Sequence, residues 1–290
     1  QENNQNYKQA SKNYERYVKL FPDRDDAAET YYQAALVYEK MDKTRDMVRV
    51  FNRFIKRYGK ETKHNYRVMK ALDTMAELQL TNRRKRDSLK MRQRILKEFD
   101  KRGLQPASGE SSFAAKAKFL LTEESFNAFK KVKFAGSLSK QGKLLQKLLQ
   151  KTVPELKADF TDVFKYKNLE WTLCAYFRQA QIGLMFADKL YNAPIPRAFA
   201  GDIDAEDMYR MQLEDIALPI EEQAVADLEK TIEVGRQNKV ISRCTKETLE
   251  VLNRYKPSEY PLFKEEKRAL KFETLSPLPA AGYTPPAPEP

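Results

Sequence analysis

Residues 13–19 read NYERYVK and run on into Leu20, Phe21 and Pro22; residues 50–56 read VFNRFIK and run on into Arg57, Tyr58 and Gly59. The second stretch echoes the first at an offset of 37 residues. Self-similarity at a fixed period of this size means a chain assembled from copies of one helical unit, each needing its neighbours to bury its apolar face. This constrains architecture strongly and function only by class.

Composition agrees with a helical chain. Only 9 of the 290 residues are Gly, and 41% are hydrophobic, enough for a sizeable core. The favoured residues, Lys, Arg, Glu, Gln, Ala and Leu, lose little rotamer freedom in a helix. No uninterrupted apolar run approaches the ~18 residues that a membrane span needs, and no basic start followed by an apolar middle marks an export signal. The chain begins at Gln1, so an export signal can be missing from it and its N-terminus does not report a compartment.

The formal net charge is +12, unevenly spread. Residues 51–150 hold 25 Lys and Arg against 9 Asp and Glu, whereas residues 201–250 hold 6 against 13. The molecule is expected to be electrically polar along its length. A basic stretch of this kind attracts an acidic protein face, nucleic acid or an anionic surface, although charge runs on helices commonly serve only as solvated faces.

Around the echo, Tyr31, Ala34, Ala35 and Tyr38 form one helix pattern, and Met47 and Phe51 a second, before the chain turns at Gly59. Ala10, Tyr14 and Pro22 belong to the second helix of a preceding copy. A weaker third copy starts with Val68, Ala71, Leu72 and Met75, and its second helix, MRQRILKEF from Met91 to Phe99, aligns with VFNRFIKRY at an offset of 41. The chain resembles the tetratricopeptide (TPR) repeat family, in which small residues let paired helices approach and aromatics fill the wedge between successive pairs. The resemblance implies an all-α, TPR-like α-solenoid of stacked antiparallel helix pairs.

The match fades after Phe99. LQPASGE, residues 104–110, reads as a loop, and Phe113, Ala114, Ala117, Leu120 and Leu121 as an amphipathic helix. Leu144, Leu145, Leu148 and Leu149 mark another helix, which Pro154 interrupts or follows by opening the next. First-helix spacing returns at Trp171, Cys174, Ala175 and Arg178. The expectation there is an elongated pair: a helix from Asn168 to Tyr191, a loop NAPIPRAFAGD, and a helix from Asp204 to Asn238 bent at Pro219, then a capping helix from Thr245 to Tyr255. Four segments follow: 1–102 TPR-like repeats, 103–165 a divergent helical segment, 166–271 the elongated pair and cap, and 272–290 a Pro-rich disordered tail.

YNAPIP, EDMYRMQLEDIALPIEEQAVADLEKTIE and LNRYKPSEYPLFKEE carry a second resemblance, to the C-terminal parts of TPR proteins from myxobacterial cell-envelope and gliding-motility machinery. It implies a periplasmic or membrane-associated assembly protein, with a cytoplasmic location as the alternative.

Catalytic chemistry has little to build on. His64 is the lone histidine, read as an exposed and inert side chain, so neither Ser nor Cys can be assigned a histidine base by spacing. GSLSKQGK, residues 136–143, departs from a phosphate loop by one residue, and Leu144 stands where magnesium would need a hydroxyl. Acidic pairs such as Glu221 and Glu222 read as solvated. The expectation is a non-enzymatic scaffold with no cofactor and no metal, since two cysteines are too few for a zinc cluster.

Partner binding is assigned to the groove lined by first helices: Tyr32, Leu36 and Lys40 in one copy, Met69 and Asp73 in the next, then Tyr176, with packing between pairs as the bland alternative for each. No Lys is followed four residues later by Asn, which disfavours docking of chaperone tails. The alternative function is nucleic-acid or anionic-surface binding through 51–150, centred on Arg83, Arg84, Lys85, Arg86 and Lys90, where no interleaved aromatic offers a base a stacking platform. Cys174 and Cys244 read as buried thiols or, in an oxidising periplasm, as a disulfide between neighbouring first helices.

Overall fold

A computed structural model describes residues 6–262. The tail assigned to 272–290 and the end of the third segment, 263–271, lie outside the described residues. Eleven α-helices and no strand occur among the described residues: α1 (Tyr7–Leu20), α2 (Ala27–Lys40), α3 (Thr44–Tyr58), α4 (Asn65–Thr81), α5 (Lys85–Lys101), α6 (Ser111–Lys130), α7 (Leu138–Lys147), α8 (Val153–Thr161), α9 (Leu169–Tyr191), α10 (Ile203–Gln237) and α11 (Arg243–Tyr255).

Packing follows chain order. α2 lies between α1 and α3, α4 packs on α5 and α5 on α6, and α9 is covered by α6, α8, α10 and α11. The fold is an all-α, solenoid-like stack of helix pairs, in which α2, α4, α6 and α9 are the first helices and α3, α5 and α10 the second helices packed on α2, α4 and α9, with α1 covering α2 at the start.

The two clearest copies end their first helix in the same way. Asp42 and Arg83 both adopt positive φ, 55° and 60°. The next amide then closes back on the helix, Lys43 N donating to Tyr38 O at 2.9 Å and Arg84 N to Gln79 O at 2.8 Å. This is a Schellman-type stop, which satisfies orphan carbonyls and reverses the chain into the second helix. α3 and α5 enter from these turns, and each sends its apolar stripe, Met47, Val50, Phe51 and Phe54 or Ile95 and Phe99, against the preceding helix. Ala34, Ala35 and Ala71 are fully buried and carry nothing beyond Cβ, so the paired backbones come close. Burying Phe51 and Phe54 contributes about 2 kcal/mol each.

The middle and end depart from the regular repeat. Pro154 opens α8, where the missing N–H costs nothing. α7 runs into a π-helical turn at Leu148–Thr152 before it. α9 is capped by the Asn168 side chain, which accepts from Trp171 N at 3.2 Å. α10 spans 35 residues with Pro219 inside it. α9 and α10 touch where Gly183 faces Ala224: a Cβ at Gly183 would lie 2.9 Å from the Ala224 Cβ. α11 starts with a capping box between Ser242 and Thr245. Among the described residues no helix is long and apolar enough to cross a membrane.

Candidate interaction surfaces

The expected groove residues separate into three groups. Tyr32 and Met69 are buried in the core, which corrects their assignment to a partner-facing surface. Tyr32 lies 5.4 Å, centroid to centroid, from both Phe51 and Phe54, and burial pushes its hydroxyl up to about 12. The physical reason is that α2 is covered on two sides, by α1 and by α3, so Tyr31 and Tyr32 both face inward. Successive residues on a helix differ by about 100°, so a helix covered from two sides buries adjacent residues together and exposes only what lies beyond that arc. Gln33 and Lys70, the next residues along, are the more exposed ones.

Asp73 is occupied. Lys116 Nζ of α6 sits 2.8 Å from Asp73 Oδ2 and 2.8 Å from Glu77 Oε1, while Arg92 of α5 reaches Glu77 at 3.0 Å. The Arg92 side chain is only 3% exposed. Burial pushes the Glu77 carboxyl up, but hydrogen bonds from Lys116 and Arg92 outweigh it and hold the group below its ordinary value. Lys116 is held above its own, because Asp73 and Glu77 overcome its desolvation. Arg92 Nη1 and Asp73 Oδ1 face each other at 3.9 Å without a hydrogen bond, so their attraction offsets burial through charge alone. Arg92 was not anticipated as a site; its signal is a cation at the position between Ser88, Ile95 and Phe99 where the stripe of α5 calls for an apolar residue.

Leu36, Lys40 and Tyr176 remain at the surface. Leu36 is half-buried against the core, Lys40 lies over the Tyr7 ring at 5.6 Å, and Tyr176 is 38% exposed with its ring 4.5 Å from Phe164.

Ion pairs stitch the first-helix layer from end to end. Glu29 of α2 meets Arg67 of α4, Asp73 of α4 meets Lys116 of α6, and Glu123 of α6 meets Arg178 of α9, with Nε 2.5 Å from Oε1 and Nη2 3.2 Å from Oε2. The Arg178 guanidinium also lies 5.0 Å over the Phe126 ring. At the start of the stack Glu15 of α1 takes a bidentate pair from Arg49 of α3 at 2.6 and 2.8 Å, and Tyr38 of α2 donates to it at 2.7 Å. The Arg49 hydrogen bonds hold the Glu15 carboxyl below its ordinary range despite burial.

The basic residues Arg83, Arg84, Lys85, Arg86 and Lys90 are exposed around the α4–α5 turn. Lys85 pairs with Glu124 at 2.7 Å. A second basic surface lies between α1 and α3, where Arg16, Lys19, Arg53, Lys56 and Arg57 rim a cavity of about 940 Å³ whose lining includes Val18 and Tyr31. His64 is buried, not exposed: it lies 5.9 Å from the Phe54 ring and 6.4 Å from Tyr58, in the turn that opens α4. Its aromatic surroundings exclude water, which sequence position alone does not reveal.

Cys174 of α9 and Cys244 of α11 are joined, with Cα atoms 5.1 Å apart. The bond fixes the capping helix to the elongated pair. Gln141 is a second unanticipated node: it is buried, donates to Gly136 O and Pro194 O, and accepts from Tyr209 at 2.6 Å, tying α7 to α10 and the loop before it. Its signal is faint, because Gln is common on solvated faces.

No protein-family model matches the chain, and no curated protein matches it by sequence. Among solved structures it is similar to a TPR repeats protein from Bacteroides fragilis, with 11% identity and a TM-score of 0.46 over 86% of this chain and 93% of that one.

Proposed function

We propose that this chain is a non-enzymatic scaffold that holds protein partners against its stacked helix pairs within a multiprotein assembly of the bacterial cell envelope, with gliding-motility machinery as the specific setting. The observation that carries the reading is the first-helix layer itself: a face running through α2, α4, α6 and α9, held in register by Glu29–Arg67, Asp73–Lys116 and Glu123–Arg178. Stacked helical pairs present extended surfaces to peptides or partner helices. The periplasmic part of the reading draws on the C-terminal resemblance and on the Cys174–Cys244 bond, since disulfides persist in oxidising compartments.

Partner-facing roles on that layer fall to Leu36, Lys40, Lys70 and Tyr176. Affinity capture from separated envelope and cytosolic fractions, followed by crosslinking mass spectrometry, tests the proposal with wild type and a Lys40→Glu, Tyr176→Ala variant. Envelope proteins recovered by wild type and depleted at least about tenfold by the variant support it. Identical recovery by both removes this face, and partners drawn solely from cytosol remove the envelope setting.

A further inference from the structure

Among the described residues, nothing covers the outer face of α10. Tyr209, Leu213 and Ala217 pack inward, which leaves Met208, Met211 and Leu218 outward, 59%, 61% and 47% exposed. With Asp215 and Glu222 they recur at intervals of three and four residues and so lie on one stripe. From Ile203 to Glu222 the helix carries seven carboxylates against the single cation Arg210, which pairs weakly with Glu206 and Asp207, at 3.8 Å each. This is an acidic helix with an apolar centre line.

The cavity between α1 and α3 has the opposite character. Five cations rim it, its lining includes Val18 and Tyr31, and its one acid, Glu15, is already taken by Arg49. A neighbouring opening between α3 and α5, about 410 Å³, shares Lys56 and adds Lys60 and Lys101, while its Arg102 is taken by Glu98 at 3.0 Å. The basic surface therefore continues across α1, α3 and α5. The apolar part of the cavity lining suits Met and Leu side chains, and flexible thioethers fill irregular gaps well.

These two surfaces cannot meet within one molecule. α1 packs on α2 at one end of the stack, and α10 packs on α9 and α11 at the other. We infer that they meet between molecules: the acidic, methionine-bearing face of α10 in one copy seats on the basic channel of α1 and α3 in a second copy. The occupant is this same chain because it carries both halves of the charge match and both apolar surfaces. A contact between two different surfaces does not close on itself as a two-fold contact does, so copies add head to tail, into open chains or, where the rotation closes, into rings. This inference concerns self-association and stands independently of the partner-binding face proposed above.

Sedimentation velocity of the full chain tests it across a concentration series at about 25 mM and about 500 mM salt, where screening lengths differ several-fold. Average mass should climb with concentration at low salt and fall towards monomer at high salt. Lys56→Glu with Arg57→Glu removes the channel, and Met208→Lys with Met211→Lys removes the acidic stripe; all four side chains are exposed, and circular dichroism checks the fold. Each variant alone should associate at least about tenfold more weakly. Mixed, they should form a one-to-one dimer and nothing longer, because one intact half remains on each. Monomeric wild type at low salt overturns the inference, as does association that either variant leaves unchanged or a mixture that makes no dimer. Should a variant misfold, the wild-type series still decides: association indifferent to salt overturns it.

Discussion

His64 is 5% exposed and neither ring nitrogen has a hydrogen-bond partner. Burial holds its pKa below the ordinary 6.5; nearby Lys63 and Arg67 push the same way, and Glu61 and Glu29 oppose them without prevailing. The unfolded chain therefore binds a proton at pH values where the folded one does not. Stability from this site is fully present above about pH 6.5 and is lost as pH falls below it. Thermal melts between about pH 7 and pH 5 should show a falling Tm for wild type and a shallower fall for His64→Leu. Equal slopes would mean that His64 does not carry the effect. Glu15 acts lower: its pKa is held below 4.5 by Arg49, so its contribution is present above that value and is lost as pH falls through the depressed one. At this scale the sequence identified the residue types well and their exposure poorly. His64 is buried by Phe54 and Tyr58, and Tyr32 by Phe51 and Phe54, all residues of the neighbouring α3, while Lys70, one position from the buried Met69, is exposed.

Helices succeed or fail by how closely they pack. Gly183 lets α9 and α10 approach, and any Cβ there presses on Ala224. Gly183→Val should cost about 2 kcal/mol by forcing the pair apart. The loss would appear as a lower urea midpoint with an unchanged slope; an unchanged midpoint would show that the pair can part there freely. The α4–α5–α6 junction works differently, through Arg92, Lys116, Asp73 and Glu77 rather than through small residues. Such a cluster specifies which helices sit together, because leaving one of its charges unpaired is costly. The α4–α5 pairing and the elongated pair were legible in the repeat pattern, whereas the sequence left open how the 103–165 segment that holds α6 joins them. Their chemistry was not: the network draws its members from three helices, and periodicity within any one of them reports only its own face.

Across the molecule, one apolar core runs from Val18 of α1 to Ala217 of α10, and a smaller cluster of Phe177, Ala180, Leu228, Ile232, Leu249 and Leu252 lies under the cap. The Cys174–Cys244 bond holds that second cluster shut by closing a chain separation of 70 residues. Loop-closure entropy assigns such a link about 4 kcal/mol. Reduction should lower Tm by roughly 10 °C. Hydrogen exchange should then show the amides of α11 losing protection before those of α9, since α11 packs only on α9 and α10 whereas α9 is also covered by α6 and α8. A Tm indifferent to reductant, with α11 and α9 exchanging together, would show that the bond restrains nothing.

The helix pairs up to Phe99, the turn at Gly59, the loop at 104–110, the elongated pair expected over Asn168–Tyr191 and Asp204–Asn238, and the division of charge between the 51–150 and 201–250 regions follow from the sequence alone. Each depends on neighbouring residues: periodicity, caps, glycine and proline, and simple composition. The tertiary structure decided which faces close, that Arg92 and Lys116 share a carboxylate cluster, and that Cys174 stands beside Cys244. Those outcomes depend on how layers stack. A helix fixes the direction of its own side chains, but only the helix placed against it determines whether a side chain meets water, an opposite charge or a wall of aromatic rings.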